Sequence, residues 1–94
     1  MDSAEKIERG FKAKSLLNND FFNECFDHLE QLYVEAWKNA KTADAREDAH
    51  KFVRLIEWLK VDLTNIAESG KLEEARVKQL EAERQMPKLS EFRR

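Results

Sequence analysis

Four side chains within one short stretch are the best candidates for chemistry: Glu24, Cys25, Asp27 and His28. A thiolate and an imidazole three residues apart share a helix face, a spacing that can hold two ligands of a metal ion. Two ligands do not complete a site. The other histidine, His50, belongs to a later helical stretch and falls opposite about residue 36 if the chain turns back near residue 43. That leaves it roughly eight residues, or about 12 Å along a helix axis, from His28. The two imidazoles therefore cannot share an ion within one protomer. Cys25 lies on the flank of an apolar arc, where a thiol is ordinary packing, and His28 lies at the arc's polar margin. The expectation is packing and surface roles, with no catalytic residue, no metal and no cofactor. Glycine-rich phosphate loops, CxxC pairs and the HExxH zinc motif are all missing from the sequence.

The aromatic residues Phe21, Phe22, Phe26, Tyr33, Trp37, Phe52 and Trp58 invite a second reading, as a platform for stacking bases. Such a platform needs exposed rings interleaved with Lys or Arg. Most of these rings instead recur at apolar helical positions, which makes them core. Trp58 is the exception, because it projects about 100° from the centre of its helix's apolar stripe. Leu55 and Asp62 lie on the same side, so Leu55, Trp58 and Asp62 are read as an interface between protomers. Aromatic residues are enriched at the buried centres of such contacts.

Two long helices must position these groups. Phe22, Phe26, Leu29, Tyr33 and Ala36 recur at steps of four and three, as do Ala45, Ala49, Phe52, Ile56, Leu59, Leu63 and Ile66. That pattern keeps side chains on one face of a helix, and sustained over heptads it favours supercoiled pairing. Residues 39–44 between the two runs are too few for anything but an antiparallel return. The predicted fold is all-α: an antiparallel helical hairpin of two long helices, a short N-terminal helix over 3–17, and a short C-terminal helix plus tail. Asp2 or Ser3 caps the first helix; the second runs from about Asp20 to Lys41. Asp44 and Glu47 form a capping box for the third, and Gly70 supplies its left-handed C-cap. The fourth helix spans Leu72 to Glu83, and Pro87 ends it. The expected core joins Phe52, Ile56, Leu59 and Leu63 to Phe22, Phe26, Leu29 and Tyr33. The covers available to Trp58 are the first helix, the fourth helix or a second copy, and a second copy is favoured.

Composition agrees with one small helical domain, over 1–85, followed by a tail over 86–94. Charged residues make up 38% and hydrophobic residues 41%, with two glycines and one proline. A chain of 94 residues supplies a thin core, and self-association is a common way to enlarge it. Net charge is −2, so no field of one sign points to nucleic acid or an anionic membrane. A single cysteine excludes an internal disulfide framework and fits a reducing compartment. No run approaches the roughly 20 apolar residues of a membrane span, and the opening residues lack the apolar core of a signal peptide. These features lead to the expectation of a soluble, intracellular protein.

Two readings stay open for the tail from Met86 to Arg94. It is either a solvated end or a docking peptide, in which Leu89 and Phe92 fill a partner's groove while Arg93 and Arg94 meet acidic groups.

The stretches Glu35-Ala36-Trp37-Lys38-Asn39-Ala40-Lys41-Thr42-Ala43-Asp44-Ala45-Arg46-Glu47 and Glu68-Ser69-Gly70-Lys71-Leu72 resemble small helical-hairpin proteins of tailed-phage genomes. The resemblance implies a viral structural, assembly or host-interaction protein, placed in the host cytoplasm or the virion; it assigns no functional residue. The leading expectation is a non-enzymatic assembly or adaptor protein that acts as a homo-oligomer, with its protein partner unidentified. The alternative is a small nucleic-acid-binding module such as a DNA-packaging subunit. It would need Lys6, Arg9, Lys12 and Lys14, or Arg76, Lys78, Arg84, Lys88, Arg93 and Arg94, gathered on one face.

Overall fold

A computed structural model describes residues 1–85, which form three helices and no strand: α1 (Ser3–Leu17), α2 (Asp20–Lys38) and α3 (Ala43–Gln85). Each start has a local cause. The Asp2 carboxylate accepts the Glu5 N–H at 2.8 Å, and the Asn19 side-chain oxygen accepts the Phe22 N–H at 2.8 Å. At α3 the Thr42 hydroxyl accepts the Ala45 N–H at 3.1 Å. The cap is therefore Thr42 rather than the expected Asp44, whose charge instead sits in the first turn, near the positive end of the helix. The end of α2 comes at Lys38, three residues before the expected Lys41, where the Asn39 N–H donates back to the Glu35 carbonyl at 2.9 Å.

The expected stop at Gly70 does not occur. Helix α3 continues through it for 43 residues in all, so the predicted fourth helix is the second half of α3. No glycine among the described residues has positive φ. The cause is tertiary. Gly10 and Gly70, the chain's two glycines, are both buried and face each other across the α1–α3 contact. A Cβ built on either would lie 2.7 Å from the other's Cα. Glycine costs each helix about 1 kcal/mol relative to alanine, and here it allows two backbones to approach where no side chain would fit.

Helices α1 and α2 lie one after the other along α3. Ser3 reaches Glu73 and Arg76, and Gly10 meets Gly70. Farther along, Asp27 pairs with Lys60 at 3.7 Å, the Tyr33 ring stacks on Phe52 at 4.9 Å, and Trp37 lies beside His50 at 5.8 Å. Numbers fall along α3 as they rise along α1 and α2, so both run opposite to it. The result is a rod with extents of 83 × 26 × 19 Å. Its radius of gyration is 22.0 Å, against about 12 Å for a compact domain of this length. Among the described residues it is two helices thick, with no third layer.

Such a layer buries little. Ala13, Phe26 and Ala49 are the buried apolar side chains among the described residues, and none of them is fully enclosed. Along α3 the apolar residues and glycine turned toward the partner helices are Ala49, Val53, Ile56, Leu63, Ile66, Ala67 and Gly70, with Lys60 among them. Ala49, Ile56, Leu63 and Ile66 belong to the expected stripe. Leu59 is turned away from the seam, and Phe52 sits at its edge, stacked on Tyr33; both are about half exposed, as is Leu29 opposite. The seam is thus rotated by about 30° from the expected one. Two contacts account for the rotation. The glycine crossing turns Ala67 and Gly70 inward, and Lys60 lays its stem across Phe26, with Nζ 5.2 Å from the ring centroid, to reach Asp27.

Candidate interaction face

The rotation leaves one side of the α2–α3 layer apolar. At about 100° per residue, Leu29, Cys25 and Leu32 of α2 lie progressively farther from the seam in one sense. Phe52, Leu59 and Leu55 of α3 do so in the matching sense. In an antiparallel pair those two flanks form the same face of the layer, and the Tyr33–Phe52 stack marks it. Asp27–Lys60 and Trp37–His50 mark the opposite face, where Gln31, Lys38, Glu57 and Thr64 follow and where Trp37 and Val61 are its exposed large apolar side chains.

Exposure confirms the imbalance. Leu29, Leu32, Phe52, Leu55 and Leu59 are each 46–53% exposed, Trp58 57% and Phe21 71%. Large side chains carry about 150–250 Å², so these seven contribute on the order of 700 Å² of apolar surface. Typical monomers show largest patches of about 300–600 Å². On α2 no charged residue interrupts the face from Phe21 to Ala36; on α3 Asp48, Lys51 and Asp62 lie within it.

Trp58 stands at the outer edge of this face. Arg54 covers one side of the indole, with its guanidinium carbon 5.7 Å from the ring. Helix α1 packs farther along the rod, against Ile66, Gly70 and Glu73, and does not cover Trp58. The second half of α3, in the place of the expected fourth helix, cannot fold back onto it either.

The Cys25–His28 cluster gains no further ligand. Cys25 is exposed on the apolar flank, while His28 borders a shallow depression with Asp20, Asn23, Glu24, Asp27 and Gln31. No three His, Cys, Asp or Glu side chains among the described residues are grouped to hold a metal ion. His50 lies beside Trp37, away from His28.

The basic residues of α1 do not share a face. Lys6 and Arg9 border one groove with Asn65 and Ser69, Lys14 borders another with Lys71, and Lys12 pairs with Glu8 at 3.3 Å. On α3, Lys78 pairs with Glu74 at 3.1 Å, and Arg76 is held by Glu73. Lys88, Leu89, Phe92, Arg93 and Arg94 lie outside the described residues.

A polar anchor that the sequence did not signal fixes the start of α1. The Ser3 hydroxyl and the Arg76 guanidinium both donate to Glu73 Oε1, and Arg76 also donates to Ser3 Oγ at 3.1 Å. The Arg76 hydrogen bonds, then that of Ser3, lower the Glu73 pKa from 4.5 to about 2. Seventy positions separate Ser3 from Glu73, so no local pattern could have revealed the contact.

No helix among the described residues is long and apolar enough to cross a membrane. No family model, curated protein or solved structure matches the chain, and the larger apolar face is the feature from which its role can be argued.

Proposed function

We propose that this chain is a non-enzymatic assembly or adaptor protein. Its working unit is a helical hairpin of α2 and the first half of α3, which binds a second copy through the apolar face. The observation that carries the reading is the concentration of half-exposed Leu, Phe and Trp on one side of a two-helix layer. A layer of helices needs another layer over its apolar side, and a second copy brings an equal face. The roughly 700 Å² estimated for the large side chains approaches the roughly 800 Å² that each partner contributes to a standard stable interface. Closing two such layers on each other gives a four-helix bundle.

The resemblance to small phage helical proteins supports placing this assembly within a phage structural or host-interaction complex. The α1-bearing part of each rod lies beyond the apolar face, where it is available to other components.

The test is the oligomeric state of Leu32→Glu, at the centre of the α2 half of the face. Because Leu32 is 48% exposed, the change should leave helix content intact and convert an oligomer to monomer in sedimentation. An oligomer unaffected by Leu32→Glu would overturn the proposed face.

A further inference from the structure

Resting on that reading, the register of the assembly follows from the outer edge of α3. Lys51, Leu55, Trp58 and Asp62 recur at steps of four, three and four, and so form one stripe along the helix. All four are exposed, on the flank away from the α1 and α2 seam. The stripe is self-complementary. Its two ends carry opposite charges and its middle carries two large apolar groups, symmetric about the point between Leu55 and Trp58.

We infer that two copies associate antiparallel, α3 against α3, about a two-fold axis passing between Leu55 and Trp58. In that register Lys51 of each copy lies level with Asp62 of the other, and Leu55 lies level with the other copy's Trp58. Such an isologous contact repeats every pair twice. A shallow groove of about 330 Å³ bordered by His50, Lys51, Arg54, Leu55 and Trp58 offers the incoming indole a seat. The α2 half of the face agrees with the same axis. Asp27–Lys60 and Tyr33–Phe52 place Leu29 level with Glu57, so Leu29 and Leu32 are centred on it too. A parallel arrangement would instead set Lys51 level with Lys51 and Asp62 level with Asp62.

Charge reversal in the full chain tests the register. Sedimentation equilibrium at low salt would compare the natural chain with Lys51→Asp, Asp62→Lys and the double variant. Each single change turns two attractions into two repulsions and should weaken dimerisation about tenfold or more, as exposed pairs contribute individually little but act here in duplicate. The double variant should recover affinity to within about threefold. Singles that dimerise unchanged, or a double variant that stays weak, would overturn this register while leaving the apolar-face contact standing. A natural chain that is monomeric throughout would overturn both. All three variants should keep their far-ultraviolet helix signal.

Discussion

Replacing Gly70 with alanine sets two effects of opposite sign against each other. Alanine is the better helix former by about 1 kcal/mol in a helix interior, so intrinsic propensity alone makes the variant more stable. The crossing with α1 argues the reverse. The new Cβ would lie 2.7 Å from Gly10 Cα, 2.9 Å from the Lys6 carbonyl oxygen and 3.2 Å from Gly10 N. All three atoms are backbone, so no side-chain rotation relieves the overlap. Ordinary contact needs 3.4–4 Å, and α1 must retreat by roughly 1 Å or leave α3. Overpacking of this kind costs about 1–3 kcal/mol, and separating the helices also loosens the packing of Ile7, Ala13 and Leu17. The net expectation is a loss of about 1–2 kcal/mol. Denaturant unfolding followed by circular dichroism measures the stability, and amide exchange in α1 locates the loss. Gly10→Ala should behave alike, and the double variant should cost less than the two singles combined, because an undocked α1 meets no further clash. A Gly70→Ala protein that gains about 1 kcal/mol with α1 protection unchanged would refute the crossing.

Three further outcomes follow from the same packing. Ile56→Ala, on the seam, should destabilise the chain by about 2 kcal/mol or more; Leu59→Ala, 51% exposed in the single chain, should cost clearly less in dilute solution and more as concentration rises, read by chemical unfolding at two concentrations. The Glu73 pKa is depressed in the folded state, so its contribution to α1 docking is full above about pH 4.5 and is lost as pH falls toward 2. The protection of α1 amides, taken relative to the unstructured-chain exchange rate at each pH, should fall across that window in the natural chain and not in Glu73→Gln. Trp58→Glu should shift the protein toward monomer with most helix content kept, and an unaltered sedimentation profile would remove Trp58 from the interface.

The helical class, the first two helix starts and the start of the long helix to within a residue were legible because capping side chains and heptad spacing act locally. The role of Gly70 is not legible locally because a glycine after a helical run has two uses. Only the position of Gly10, sixty residues earlier, decides between a cap and a crossing. The seam of α3 lies about 30° from where periodicity puts it because the helix carries two overlapping stripes, one through Val53 and Lys60 and one through Phe52 and Leu59. Periodicity ranks the stripe richer in large apolar residues first. Packing chose the one with small residues and a lysine whose stem spans Phe26. The same misplacement explains the face: Phe52 and Leu59, expected inside, are now available for a partner. The shared side of Leu55, Trp58 and Asp62 follows from angle alone, and all three are exposed. The Ser3–Glu73–Arg76 anchor left no trace in local sequence.

The most direct measurement is the mass of the full chain in solution by sedimentation equilibrium across a hundredfold range of concentration. Burial of the apolar face by a second copy predicts twice the chain mass at the upper end, falling toward the single-chain mass on dilution. A single-chain mass at every concentration, with helix content intact, would contradict it.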